Sequence, residues 1–266
     1  MIAIVGTRYA DEDSLTFTSK LASELARAGW CIISGGASGI DTAAHEGALK
    51  APGRTVVVCG TPLDRVYPSS NRQLFRRIVD EGGALFSEHS EGTGVYPGMF
   101  VARNRLIAAL AEAVIVVRAP AKSGALSTAA YAKSMDIPVF FVPAAPWDPR
   151  GMGCLMLARR GAKICTSPQD VLSDAALGAL TRMAPPQTAP KVARNLMNNI
   201  SELDEDSRAI VDLLARGGRQ SEELVRILGF SAKRVQRALV MLCLAQHIVE
   251  KAPGEYDLWP HYGHNG

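Results

Sequence analysis

Short, unbroken apolar runs recur through the first two thirds of the chain, each followed by glycine or small polar residues. Runs of strand length cover residues 2–5, 30–33, 55–59, 84–87, 114–117, 139–142 and about 162–165. Between them apolar residues recur at helical spacing. The first such segment, 14–28, carries Leu15, Leu21 and Leu25 and stops at Gly29. Others cover about 39–49, 71–81, 105–112, 125–135 and a short 155–160. Strands that are apolar throughout, without polar alternation, are buried on both faces, and helices between them imply a parallel sheet covered on both sides. The pattern predicts an α/β fold, an extended Rossmann-like, doubly wound and mostly parallel sheet. Such sheets bind ligands beyond the carboxyl ends of their strands, near the point where strand order reverses. Functional residues are therefore expected just after strands.

The texture changes after Asp174. Residues 184–190, Ala-Pro-Pro-Gln-Thr-Ala-Pro, are proline-rich and lack apolar periodicity, as a linker would. The expected division is a Rossmann-like domain over 1–175, a linker over 176–199 and a small C-terminal domain over 200–262. In the last, a helix over 206–216 ends at Gly217-Gly218. Ser221 is placed to cap a second over 222–228, which ends at Gly229, and Ser231 to cap a third over 232–244. A hairpin of 247–250 with 256–259 turns at Pro253-Gly254. Three helices and a hairpin predict a winged-helix domain.

Composition alters this picture little. With 47% hydrophobic and 21% charged residues the chain is ordinary globular material. A net charge of +3 is too small for a global field, so nucleic acid would need a local groove. The five cysteines, Cys31, Cys59, Cys154, Cys165 and Cys243, form no C-x-x-C pair, so buried free thiols in a reducing cytosol are expected and no zinc site. No signal peptide and no apolar run of membrane-spanning length is present, which predicts a soluble cytoplasmic protein. Gly6-Thr7-Arg8 breaks the dinucleotide fingerprint and no P-loop occurs, so no cofactor and no metal is expected.

Three segments then carry candidate chemistry. After the second strand comes Ser34-Gly35-Gly36-Ala37-Ser38-Gly39-Ile40-Asp41. Glycines allow close main-chain approach, and a helix opening near Gly39 would aim free N–H groups at the same point, so this stretch predicts an anion cradle. Thr7 and Arg8 follow the first strand, where an arginine suits a phosphate more than a stray surface charge. Phe100-Val101-Ala102-Arg103-Asn104-Arg105, placed at a helix start, offers phosphate contacts and a stacking ring. The competing reading pairs Arg103 and Arg105 with carboxylates such as Glu88 or Asp41. Lys122-Ser123-Gly124 opens the next helix as a second anion site, or simply as a cap made by Ser123. His45, one turn beyond Asp41, is expected to be a hydrogen-bonded structural histidine, since no nucleophile accompanies it.

Taken in order, these pieces resemble the DNA-processing protein A family (DprA, also called Smf). They are Val5-Gly6-Thr7-Arg8, the stretch from Ser34 to Asp41 with Ala43-Ala44-His45, Leu63-Asp64 with Tyr67-Pro68 and Asn71, and Ser87-Glu88. Then follow Phe100 with Arg103-Asn104-Arg105-Leu106-Ile107-Ala108, Lys122-Ser123-Gly124-Ala125-Leu126 with Thr128-Ala129, and Val139-Phe140 with Val142-Pro143. The resemblance runs from about Ile2 to about Leu172, and the winged helix suits it. It implies single-stranded DNA binding in the Rossmann-like domain by Arg8, Ser34 to Gly36 and Lys122 to Gly124. It also implies homodimerisation, delivery of the strand to RecA in natural transformation, displacement of single-strand binding protein, and no enzymatic activity. Three positions depart: Ser38 stands where many members carry arginine, and Ala125 and Ala144 replace commoner serine and glycine. The family's N-terminal helical domain is not expected here.

The C-terminal domain holds eight Lys and Arg against ten Asp and Glu over 200–260. Its third helix offers only Lys233, Arg234 and Arg237, less than duplex readers usually carry, which favours protein interaction or weak duplex binding. Two other functions fit a Rossmann-like fold. One is nucleotide binding or hydrolysis as in the lysine-decarboxylase-like superfamily, whose P-G-G-x-G-T-x-x-E pattern is absent. The other is nucleotide sensing with the winged helix as output.

Overall fold

The computed structural model describes residues 1–177, 203–245, 247–252 and 254–259. The chain divides into two compact units, Met1–Thr188 and Ala189–Gly266. The proline-rich stretch over 184–190 lies outside the described residues.

In the first unit seven strands form one sheet: β1 (Ile2–Gly6), β2 (Ile32–Ser34), β3 (Thr55–Val58), β4 (Ala84–Phe86), β5 (Ala113–Val117), β6 (Val139–Phe141) and β7 (Lys163–Ile164). All pairs are parallel, in the order β4-β3-β2-β1-β5-β6-β7. The order reverses between β1 and β5, so the Rossmann-like switch point lies where Thr7 and Arg118 leave the sheet. The unbroken apolar runs are explained by burial on both faces: Ile2, Ile4, Val114 and Ile115 are fully buried. Each such side chain contributes roughly 1.5–3 kcal/mol.

The covering helices are α1 (Glu12–Arg27), α2 (Ile40–Leu49), α3 (Arg72–Asp80), α4 (Gly98–Leu110), α5 (Ala125–Ser134), α6 (Met152–Arg159) and α7 (Pro168–Leu172). The first starts two residues before the sequence expectation because Asp11 caps it, accepting from the Ser14 N–H at 3.0 Å. The larger difference is α4. Sequence reading opens this helix at Arg105; it opens at Gly98, so Phe100 to Arg105 lie inside it. Pro97 sits at its N-cap, where a missing N–H costs the helix nothing.

The second unit contains α8 (Glu205–Leu214), β8 (Arg219–Gln220), α9 (Ser221–Leu228), α10 (Ala232–Leu244), β9 (Ile248–Ala252) and β10 (Glu255–Leu258). The strands form an antiparallel sheet in the order β8-β10-β9. Three helices on a small sheet make the expected winged helix, around Ile210, Leu214, Leu224, Val235, Leu239 and Tyr256. Gly229 ends α9 in the left-handed region, and Ser231 Oγ caps α10 by accepting from the Arg234 N–H at 3.3 Å. Ser221 does not cap α9. It is the helix's first residue, and its N–H donates to the Gly254 carbonyl at 2.8 Å. The two-residue strand β8 has too little pattern to be seen in sequence. Arg234 donates to both carboxylate oxygens of Asp206 and lies 4.0 Å over the Phe230 ring, so the middle cation of the α10 patch is already engaged.

Candidate nucleic-acid interface

Every predicted site segment except one leaves the carboxyl end of a strand. The exception, Arg103-Asn104-Arg105, explains how the others are held. Successive residues of a helix point about 100° apart, so three in a row address three directions. Arg103 reaches the glycine loop: Nη1 donates to the Gly35 carbonyl at 2.7 Å and also to the Val58 carbonyl at the end of β3. Asn104 Nδ2 donates to the Gly124 carbonyl at 3.2 Å and to Ser127 Oγ at 2.8 Å, tying down the start of α5. Arg105 Nη2 pairs with Glu88 Oε2 at 2.5 Å beyond β4. All three residues are buried, at 5%, 8% and 7% exposure. The sequence placed them at a helix start as phosphate ligands; the structure places them inside α4, bracing three segments of the rim. The carboxylate pairing that sequence weighed against phosphate contact is what Arg105 makes with Glu88.

The glycine loop differs from the expected open cradle in a similar way. Ser34, Gly35 and Gly36 are buried. Ser34 Oγ donates to the Ile4 carbonyl at 2.6 Å, and Asn71 Nδ2 donates to the Gly36 carbonyl at 3.0 Å. The loop's own acid lies inside the turn, Asp41 Oδ2 accepting from the Ala37 N–H at 3.2 Å. Burial pushes the Asp41 carboxyl upward, against the Arg103 charge and the Ala37 N–H. The inner N–H groups thus face an internal anion, and the exposed part is Ser38, flanked by the partly exposed Ala37 and Gly39. Two glycines are required by this geometry. A Cβ on Gly35 would lie 2.6 Å from the Arg103 guanidinium. One on Gly39, whose φ is +80°, would lie 2.5 Å from the Thr7 carbonyl oxygen. The loops after β1 and β2 therefore touch through backbone, and the Ile40 N–H donates to that same carbonyl at 3.2 Å.

What faces solvent is cationic and aromatic. Arg8 is exposed, with Cζ 6.0 Å from the centroid of the Phe100 ring. Phe100 and Tyr67 have centroids 5.0 Å apart, tilted by 54°. Gly60 admits the ring, since a Cβ there would lie 2.7 Å from Phe100. Lys122 and Gly124 are exposed at the opening of α5, and Ser123 is half-buried, its Oγ accepting from the Ala125 N–H at 3.3 Å. Thr7 is buried and its Oγ1 accepts from the Tyr9 N–H at 3.2 Å, shaping the turn that presents Arg8.

Sequence reasoning missed Asp41 as the loop's internal anion, Asn71 as its outer anchor, and Tyr67 as the ring beside Phe100. The signal for the last two was the spacing of Tyr67-Pro68 and Asn71, used only as a resemblance. It also missed Arg118 at the switch point. Among the described residues no three or more His, Cys, Asp or Glu gather as a metal site, and no helix is long and apolar enough to cross a membrane.

Comparison with known proteins agrees with this architecture. Residues 1–176 match the family described as DNA recombination-mediator protein A, and residues 184–254 match the DprA winged helix domain. Protein Smf of Synechocystis is 45% identical over 179 residues, 67% of this chain and 44% of that protein. A putative DNA processing protein DprA of Mycobacterium tuberculosis is 34% identical over 244 residues, 91% of this chain and 60% of that one. The chain thus spans about half the length of these relatives. The X-ray structure of DprA from Streptococcus pneumoniae superposes with a TM-score of 0.60 at 38% identity, over 65% of this chain and 60% of that chain. A structure of DNA processing protein A from Helicobacter pylori, titled for its single-stranded DNA binding mode, gives 0.59 at 33% identity, over 68% and 80%. On its sheet, its winged helix and these matches, the chain belongs to the DNA recombination-mediator protein A family.

Proposed function

We propose that this protein binds single-stranded DNA along the carboxyl rim of its parallel sheet and acts as a recombination mediator without catalysing a reaction. The observation that carries this reading is the exposed Arg8 guanidinium above Phe100, with Tyr67 beside it. Rings that accept any base and cations that track the backbone are what sequence-tolerant strand binding needs. Lys122 and the Ser123-Gly124 turn supply a second backbone contact on the same rim. Arg103, Asn104 and Arg105 act from beneath, as positioning residues, as do Ser34, Gly35, Gly36 and Gly39. The relative from Helicobacter pylori, named for single-stranded DNA binding, supports the assignment. Membership of the family supports the wider role: a cytoplasmic homodimer that delivers the strand to RecA and displaces single-strand binding protein during natural transformation.

Fluorescence anisotropy with a labelled oligothymidine tests the binding. The wild-type protein is expected to bind with an affinity that falls as salt rises. Arg8→Ala and Lys122→Ala should each weaken binding about three- to tenfold and reduce the salt slope by about 0.7. No binding at low salt, or binding indifferent to both substitutions, overturns the reading. The mediator step is checked by RecA assembly on a strand pre-coated with single-strand binding protein, with and without this protein.

A further inference from the structure

Four aromatic side chains are strongly exposed among the described residues: Tyr9 at 88%, Tyr67 at 52%, Tyr96 at 59% and Trp147 at 84%. All four sit in segments that follow the carboxyl ends of strands, after β1, β3, β4 and β6. Trp147 stands apart, on the far side of the switch point from Tyr67 and Phe100. It is also firmly mounted. Residues 145–148 form a turn closed by the Asp148 N–H donating to the Ala145 carbonyl at 3.0 Å, with Pro146 before Trp147 and Pro149 after Asp148. Pro at the second position of such a turn fixes its backbone.

Arg118 then clasps this turn to the rest of the rim. Leaving β5 with φ of +53°, it pairs with Asp148 at 2.7 Å and with Asp11, the cap of α1. The segments after β1, β5 and β6 are thereby stapled together. Arg150 closes the group, Nε donating to Asp148 Oδ1 at 3.1 Å. With Asp13 lining the same hollow as Asp11, Arg118 and Arg150, the arginines here are matched by carboxylates and the surface beside Trp147 carries no excess of positive charge. It suits a base, not a phosphate.

Resting on the proposed strand binding, we infer that Trp147 is a second stacking platform, and that the bound strand crosses the switch point from the Tyr67–Phe100 pair to Trp147. The strand ends behind these two positions, β3 and β6, are four steps apart in the sheet, about 19 Å at roughly 4.8 Å per step. That is about six nucleotides at about 3.4 Å each, fewer if the strand is extended, and within the range single-strand sites cover.

The length of DNA therefore separates the two platforms. With oligothymidines of about 15 nucleotides, Trp147→Ala should weaken binding about tenfold and Trp147→Phe only about twofold. With about four nucleotides, held by the Arg8 side alone, both variants should match wild type. The salt slope should stay unchanged in both, unlike that of Arg8→Ala. Equal affinity of wild type and Trp147→Ala at every length, with Arg8 dependence intact, overturns this inference and leaves the binding reading standing. A change in the protein's own oligomeric state in Trp147→Ala, with binding per protomer unchanged, overturns it also. Absence of any strand binding in wild type overturns both.

Discussion

Arg103→Met should lower the thermal midpoint of the Rossmann-like unit by about 6–12 °C near neutral pH, although it nearly conserves volume. The side chain is buried and its guanidinium donates to the carbonyls of Gly35 and Val58, in loops that converge only in the fold. Methionine leaves both acceptors without this donor and removes the positive charge that steadies the buried Asp41. Breaking a buried, hydrogen-bonded charge arrangement costs about 3–5 kcal/mol. The lower figure applies here because Asp41 escapes part of the penalty by taking up a proton. The gap to wild type should accordingly narrow as pH falls through the raised Asp41 pKa. Lysine at this position keeps the charge and loses the fork, so its loss should be intermediate. Strand binding should weaken with the stability of the loop, since Arg103 holds up the turn that ends at Gly39 against Thr7. Calorimetry of the three proteins across pH, with anisotropy on the same samples, measures both. A methionine variant within about 2 °C of wild type would mean that the loop after β2 does not depend on this anchor.

How much could be read from the chain follows from the range of the interactions involved. The strands were readable because burial on both faces writes one unbroken apolar run, a local signal in Ile2–Gly6 or Ala113–Val117. The position of the rim followed, because parallel strands put their carboxyl ends on one edge. The helix α4 was misplaced for the opposite reason. Its core-facing surface includes Arg103, Asn104 and Arg105, whose partners lie as far as 68 residues away, at Gly35. A run of charges in sequence looks like a solvent-facing segment, and only the fold shows where its partners are. The same holds for Arg118, which in sequence is merely the residue after a strand. The glycine stretch was recognised as a tight turn. That Asp41 enters the turn depends on helix geometry two residues beyond the glycine at its cap, and spacing alone did not show it. Arg8 was legible as the residue that follows the first strand, but the Phe100 ring that it lies over is 92 residues away in sequence and only the fold brings the two together.

Acid should destabilise the protein through His45, and the size of that effect is set by one dry nitrogen. Thr55 Oγ donates to the Ile32 carbonyl at 2.8 Å and lies 2.7 Å from His45 Nδ1. The hydroxyl proton is therefore in use, so Nδ1 carries the proton and donates to Thr55, leaving Nε2 bare. That atom is buried without a hydrogen-bond partner. A proton added there would have no acceptor, and burial, helped by the nearby Arg103 charge, holds the imidazole down at about 3. Above the unfolded value of 6.5 both states are neutral and His45 contributes no pH dependence. Below it the unfolded chain binds a proton that the folded chain refuses, so stability falls by about 1.4 kcal/mol per pH unit until the folded pKa is reached. By about pH 4.5 the loss is about 2.7 kcal/mol. His89, half-buried and also shifted down by burial, adds to the slope, while Asp41, shifted up, opposes it. Both remain in a His45→Gln variant, so the difference between the two proteins isolates His45. Glutamine can still donate to Thr55 but does not titrate. The variant should be less stable than wild type near pH 7 and lose less on acidification, so that the two urea-unfolding curves approach each other by about pH 4.5. Parallel stability-versus-pH curves would show that His45 charges as freely in the folded protein as in the unfolded chain, and that its contact with Thr55 does not keep it neutral.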